Sequence, residues 1–275
     1  MRGLPKLDAD LELAIAAARA AGKAVLRFFR QPHPVHYKAP DQPVTEADLL
    51  ADGILKDALL RERPDYGWLS EETADSPARL SASRVWIVDP IDGTRSFVDG
   101  HPEFGISIGL VEEGVPRLGV VYNPASDELY HATAGGGAFR DQQPIRVSPA
   151  AGAAGGLILA SRSEIRRGEF APFAGDWRIE PLGSTAYKMV KVADGSGDLY
   201  LSRGFKSEWD VCAAALVVVE AGGRVTDLGG SDLRFNQLDP TFRGILVGNA
   251  EFHQRMSRQI AALPPGARLS AKEDE

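Results

Sequence analysis

Asp89-Pro90-Ile91-Asp92-Gly93-Thr94 follows directly on Val85-Trp86-Ile87-Val88. The β-branched run reads as a buried strand, and two carboxylates and a hydroxyl stand where it stops. A strand of an α/β protein delivers its C-terminal residues to the open edge of the sheet, where ligands collect. Asp89 and Asp92 are predicted to share one turn there, so that both face a single cation cluster. Glu71-Glu72 upstream and Asp210 far downstream complete an all-oxygen set of the kind that hard divalent cations take. Nothing competes with it: Cys212 is the one cysteine, and His33, His36, His101, His131 and His253 show no ligand spacing, so none of them is a candidate.

Upstream, Leu11, Ile15, Ala18, Gly22, Val25, Leu26 and Phe29 recur at helical spacing, which predicts a packing helix that ends before Pro32 and Pro34. Thr45-Glu46-Ala47-Asp48 is a hydroxyl cap with a carboxylate three residues on. It opens a second helix that runs to Pro64 and puts Asp48 in the first turn. Downstream, residues 106–111, 118–122, 128–132 and 138–140 read as an antiparallel meander. Beyond residue 150 strands at 157–160, 199–201 and 245–247 alternate with helices at 184–193, 209–221 and from about 249. The predicted fold class is therefore α/β: an α+β lobe over 1–149 with most of the acidic residues, an α/β lobe over 150–263 with Asp210, and a frayed tail at 264–275.

The composition narrows the partners. The chain has 275 residues, 44% hydrophobic and 25% charged, which is ordinary for a globular protein that buries a large core. A formal net charge of -7 disfavours nucleic-acid polymers and anionic membranes, while leaving room for a small anion held by local cations. A lone cysteine suits a reducing compartment and predicts a cytoplasmic protein. Asp8, Asp10, Glu12, Arg19 and Lys23 break up any apolar leader core. Gly135-Gly136-Gly137 lacks the Lys-Ser/Thr of a phosphate loop and reads as a hairpin turn. Trp209 and Cys212, ahead of a nearly unbroken apolar run, read as core.

Four motifs in order resemble the lithium-sensitive, magnesium-dependent phosphatases of the inositol monophosphatase superfamily. They are Val44-Thr45-Glu46-Ala47-Asp48, Ser70-Glu71-Glu72, Asp89-Pro90-Ile91-Asp92-Gly93-Thr94 with Phe97, and Glu208-Trp209-Asp210 with Glu220-Ala221-Gly222-Gly223. The resemblance implies a layered αβαβα sandwich and two or three Mg²⁺ ions. It places Glu71, Asp89 and the Ile91 carbonyl on the first ion, Asp89, Asp92 and Asp210 on the second, and Asp48 beside a third. Thr94, oriented by Glu71 or Asp48, would position the attacking water, and Gly93 and Thr94 would offer backbone N–H groups to the phosphate.

The implied partner is a small phosphorylated metabolite, and the implied assembly a monomer or homodimer. Inositol-specific members carry a glutamate where Arg203 stands here. Ser161-Arg162-Ser163 and the Gly183-Ser184 turn before Tyr187-Lys188 look more like bacterial 3'(2'),5'-bisphosphate nucleotidases. Ser184 is accordingly expected on the substrate and, from the second-lobe cations Arg162, Lys188, Arg203 and Lys206, so are Arg203 first, Lys206 second and Arg162. The alternatives are inositol-1-monophosphatase, then fructose-1,6-bisphosphate or histidinol-phosphate phosphatase. Two others stand further off: a haloacid-dehalogenase-like aspartyl nucleophile, whose second aspartate falls two rather than three residues on, and a degenerate regulator without activity.

Overall fold

The structure, a computed structural model, describes residues 7–32, 34–39, 42–149 and 155–264. His33, the predicted tail beyond 264 and most of the stretch 150–156 lie outside them. Helix α1 (Leu7–Val25) buries the small face Ala14, Ala17, Ala18, Ala21 and Val25. Strands β1 (Val35–Ala39) and β2 (Gln42–Thr45) form an antiparallel ribbon that leads into α2 (Glu46–Glu62). The predicted capping box is present: Thr45 Oγ1 accepts from the Ala47 N–H, and Asp48 Oδ2 accepts from the Thr45 N–H at 2.7 Å.

Seven strands follow in sequence order: β3 (Gly67–Ser70), β4 (Arg84–Asp92), β5 (Gly105–Glu112), β6 (Val115–Asn123), β7 (Glu128–Thr133), β8 (Gly137–Arg140) and β9 (Gln143–Pro144). Short α3 (Thr94–Val98) interrupts them after β4. Only β3 and β4 run parallel; the rest are the predicted meander.

A second sheet has the order β11-β10-β12-β14-β13. It is built from β10 (Leu157–Ala160), β11 (Arg178–Pro181), β12 (Leu199–Ser207), β13 (Arg224–Thr226) and β14 (Thr241–Gly248). Helices α4 (Arg162–Arg166), α5 (Thr185–Ala193), α6 (Glu208–Glu220) and α7 (Ala250–Ala262) connect and cover it. Short or polar strands such as β3, β9, β11 and β13 carry too few alternating positions to be read from sequence.

Helices α1 and α2 cover one face of the first sheet, α5 and α6 fill the space between the sheets, and α7 covers the outer face of the second. That is the layered αβαβα order. The central layer is tight because α6 lies against glycines: a Cβ on Gly119 would stand 2.2 Å from the Ala213 carbonyl oxygen, and one on Gly109 2.5 Å from Cys212 Sγ. Cys212 is fully buried there, as core.

One expectation changes. Strand β4 does not stop at Val88 but continues to Asp92, and its register slips: Asp89 pairs Ser107 while Asp92 pairs Gly105. Three steps on β4 face two on β5, a one-residue bulge. In a regular strand, residues three apart point to opposite faces; the bulge removes that alternation.

Gly119→Ala is expected to destabilise the fold by about 3 kcal/mol, because the clash is with backbone that cannot rotate away. That lowers Tm by roughly 5–10 °C. Gly53, inside α2 with nothing within 4 Å of its would-be Cβ, supplies the control. Gly53→Ala should stabilise by up to about 1 kcal/mol. Thermal melts followed by circular dichroism test both signs.

Candidate active site

Glu71 just beyond β3, Asp89 on β4 and Asp210 in the first turn of α6 each present a carboxylate oxygen, and these oxygens lie within 4.8 Å of one another. Burial pushes Asp89 well above the usual carboxylate range, and the charges of Glu71, Asp92 and Asp210 push it further. Asp210 is raised to about 7 by burial and then by Asp92 and Glu71. Burial raises Glu71 as well, against the pull of Lys38. Hard oxygens converging under mutual repulsion are a donor set that a divalent cation satisfies. Asp89 Oδ1 is oriented by the Ile91 N–H at 3.0 Å.

Asp92 lines the same cleft, of about 450 Å³, but its carboxylate is engaged by the start of α5. It accepts from the Ser184 hydroxyl, from Thr185 N–H at 3.1 Å and from Ala186 N–H at 2.5 Å. These are three of roughly four acceptor sites of a carboxylate, which leaves one toward the cleft. Ser184 accepts in turn from Tyr187 N–H at 2.9 Å, so its hydroxyl orients Asp92 and caps α5.

Thr94 Oγ1 lies 3.0 Å from Asp48 Oδ1 and 3.0 Å from the Ile91 carbonyl. Of the two orienters expected for it, Asp48 is the one in contact. Burial raises the Asp48 pKa against its hydrogen bonds from Thr45 and Thr94. Gly93 caps α3 at φ 95°, and a Cβ there would meet Ser184 Cβ at 3.0 Å and the Glu103 carbonyl oxygen at 3.1 Å. Conformation and space both require glycine.

The rest of the cleft mixes the cations Arg95, Arg162, Arg166 and Lys188 with Asp99. Arg162 lines it, held by both oxygens of Glu103 at 2.6 and 3.0 Å. Arg166 lines it from α4 and forms no ion pair among the described residues. Lys188 is buried against it, and the hydrogen bond described for its ammonium is a 3.3 Å one to the Leu182 carbonyl; the Tyr200 ring lies 5.1 Å away. Burial lowers Lys188 to about 8.

Arg203 and Lys206 do not line the cleft. Arg203 is buried on the Glu169 carbonyl at 2.8 Å, and Lys206 reaches the Phe205 carbonyl at 3.2 Å. The register of β12, which slips between Ser202 and Phe205, places them, and their nearness to Asp210 in sequence did not show it. Sequence reasoning also passed over Lys38, which bridges Glu71 and Glu72 at 2.8 Å each, and over His101 in the cleft wall. The glycine run 135–137 is the hairpin turn expected, and its amides are taken: Glu220 accepts from Gly135 and Gly137 N–H at 2.8 and 2.9 Å.

Residues 6–264 match the model of the inositol monophosphatase family. An inositol-1-monophosphatase of Mesorhizobium japonicum is 35% identical over 95% of this chain and 99% of its own length. The 3'(2'),5'-bisphosphate nucleotidase CysQ of Salmonella typhimurium is 36% identical over 85% and 98%. The solved inositol monophosphatase of Anabaena superposes with a TM-score of 0.80 at 30% identity, over 94% of this chain and 98% of that one. The chain belongs to the inositol monophosphatase family, and so to the metal-dependent phosphoric monoester hydrolases. No described helix is long and apolar enough to cross a membrane.

The raised carboxylates set a pH dependence. An acid whose pKa is higher folded than unfolded binds more protons folded, so the metal-free chain loses stability as pH rises from about 4 through the folded value, which for Asp210 is about 7. A divalent ion selects the ionised cluster. The Tm gain from saturating Mg²⁺ should therefore be larger above about pH 7 than below about pH 6. Asp89→Asn should shrink that gain while raising Tm in EDTA at neutral pH, because it removes a repelling charge. An equal Mg²⁺ gain at both pH values would count against the cluster as the ion site.

Proposed function

We propose that this enzyme hydrolyses a small phosphate monoester that carries a second anionic group, with 3'-phosphoadenosine 5'-phosphate giving AMP and phosphate as the leading reaction. The observation that carries it is the joining, in one cleft, of the acidic cluster to a buried ammonium, Lys188, with Arg162 and Arg166 beside it. Lys188 already faces the buried carboxylates of Glu164 and Asp92, but its one described hydrogen bond, to the Leu182 carbonyl, leaves the ammonium donor capacity for a substrate anion. Inositol 1-phosphate is the alternative, supported comparably by the relatives and needing no second anion site. Fructose 1,6-bisphosphate and histidinol phosphate rank behind both.

Glu71, Asp89 and the Ile91 carbonyl would hold one Mg²⁺, and Asp89, Asp92 and Asp210 a second, with Asp48 near a third. Ions held there would supply neutralisation of the phosphate dianion, a more acidic water and stabilisation of the departing alkoxide. The chain's own residues do the positioning. Thr94 Oγ1 lies 3.0 Å from both Asp48 Oδ1 and the Ile91 carbonyl, so with its proton given to one of them its lone pairs would be left to orient an attacking water. Gly93 and Thr94 N–H groups, at the start of α3, face the phosphate oxygens. Lithium would inhibit if it competed for the second ion's ligands, Asp89, Asp92 and Asp210. A single cysteine, which suits a reducing compartment, supports a cytoplasmic reading, and the net charge of -7 weighs against nucleic-acid and membrane partners.

The test is kcat/KM over the four candidate esters, with the bisphosphate nucleotide expected first. Lys188→Met keeps the volume and removes the buried charge. It should raise KM for that nucleotide by roughly 10- to 150-fold, the equivalent of about 1.5–3 kcal/mol for a charge-assisted contact, and leave inositol 1-phosphate nearly unaffected. Thr94→Ala should lower kcat on every ester with little change in KM. Preference for inositol 1-phosphate, or an equal effect of Lys188→Met on both substrates, hands the assignment to the alternative.

A further inference from the structure

Glu71 belongs to a short link, residues 70–73, that leaves β3 beside the cleft. Its N–H donates to the Val88 carbonyl at 3.3 Å, which ties one side of the link to β4. The other side is held by Asp52 of α2. Asp52 Oδ1 accepts from Ser70 Oγ at 2.5 Å and Oδ2 from Thr73 Oγ1 at 2.6 Å, so the two oxygens grip the hydroxyls that bracket Glu71-Glu72. The carboxylate is only 8% exposed and does not line the cleft.

Asp52 follows Asp48 by four residues, one helical turn on the same face of α2. One stretch of helix thereby reaches Thr94 through Asp48 and the Glu71 link through Asp52. Among the described residues the side-chain partners of Asp52 are two neutral hydroxyls, and burying a carboxylate on those is an unfavourable way to fill space. What it provides is the geometry of the link.

We infer that Asp52 is a positioning residue: it sets where Glu71 stands relative to Asp89 and Asp210, and through that the affinity of the cluster for a divalent cation. The inference rests on the reading of Glu71, Asp89 and Asp210 as metal ligands. Its action is geometric, so asparagine preserves it: a hydroxyl can donate to the amide oxygen or accept from the amide nitrogen. Alanine abolishes it.

Mn²⁺ binding to the purified full chain, followed by the paramagnetic resonance of the free ion, tests this directly, with melts in EDTA alongside. Asp52→Ala should raise the Mn²⁺ dissociation constant by about 10- to 100-fold, as loss of a partner behind a ligand does. The Mg²⁺ concentration for half-maximal activity should rise in parallel, with kcat at saturating Mg²⁺ changed far less. Asp52→Asn should stay close to wild type, and Thr73→Val, which removes one hydroxyl almost isosterically, should fall between. Unchanged Mn²⁺ affinity in Asp52→Ala and Thr73→Val, whatever their melting points, overturns the inference. So does an Asp52→Asn variant as weak as the alanine, since charge and not placement would then act. If Asp52→Ala fails to fold, Thr73→Val and Asp52→Asn decide alone. A wild-type chain that binds no Mn²⁺ would remove the metal reading itself, a result distinct from wild-type-like binding in the variants.

Discussion

The constraint on which the structure turns is the repulsion among carboxylates held within a few ångströms and largely out of water. Glu71, Asp89 and Asp210 come from a loop, a strand and a helix that are distant in sequence, and none of the three settles there of its own accord. Each is held by something else. Asp89 is fixed by the bulge in β4 and the Ile91 N–H, and Asp210 by the first turn of α6, where its Oδ2 accepts from Ser207 N–H at 3.1 Å. The surrounding scaffold supplies the stability that lets the cluster stay charged or proton-sharing until a cation arrives.

Other acidic residues join the two sheets. Asp92 ends β4 of the first sheet and caps α5 of the layer beneath the second, so the start of that helix is referenced to the cleft. Arg162 and Glu103 make a second tie across the cleft, Ser107 donates to the Trp209 carbonyl at 3.1 Å just before Asp210, and Glu220 reaches the 135–137 hairpin. Small residues at Gly109 and Gly119 let α6 approach β5 and β6 closely enough for these contacts to close. Packing density and site geometry are thus one requirement, because a shift of α6 moves Asp210.

Net charge and local charge divide the work. The chain is acidic overall, yet its cleft opposes the carboxylate end with Lys188, Arg162 and Arg166. Such a polarity is what the proposed substrate, with a phosphate to lose and another anionic group to keep, calls for. Over the span of the cleft, a few ordered cations outweigh the diffuse and screened charge of the surface.

Helical periodicity, the capping box at Thr45, the meander and the order of the acidic motifs were legible in the sequence, because each is a local pattern whose physics is complete within a few residues. Glu71, Asp89, Asp92, Thr94 and Asp210 could be named for the same reason: their motifs are short, and their chemistry needs only oxygen donors in number. What only the tertiary structure decided are matters of direction. A bulge in β4, and not the expected turn, brings Asp89 and Asp92 to the one cleft expected of them, and Asp48 rather than Glu71 meets Thr94. Arg203 turns away to a carbonyl while Lys188, one turn into α5, enters the cleft buried. A sequence states which groups are present, but the side on which a side chain emerges depends on strand register and helix phase, and those are set by packing against elements far away in the chain.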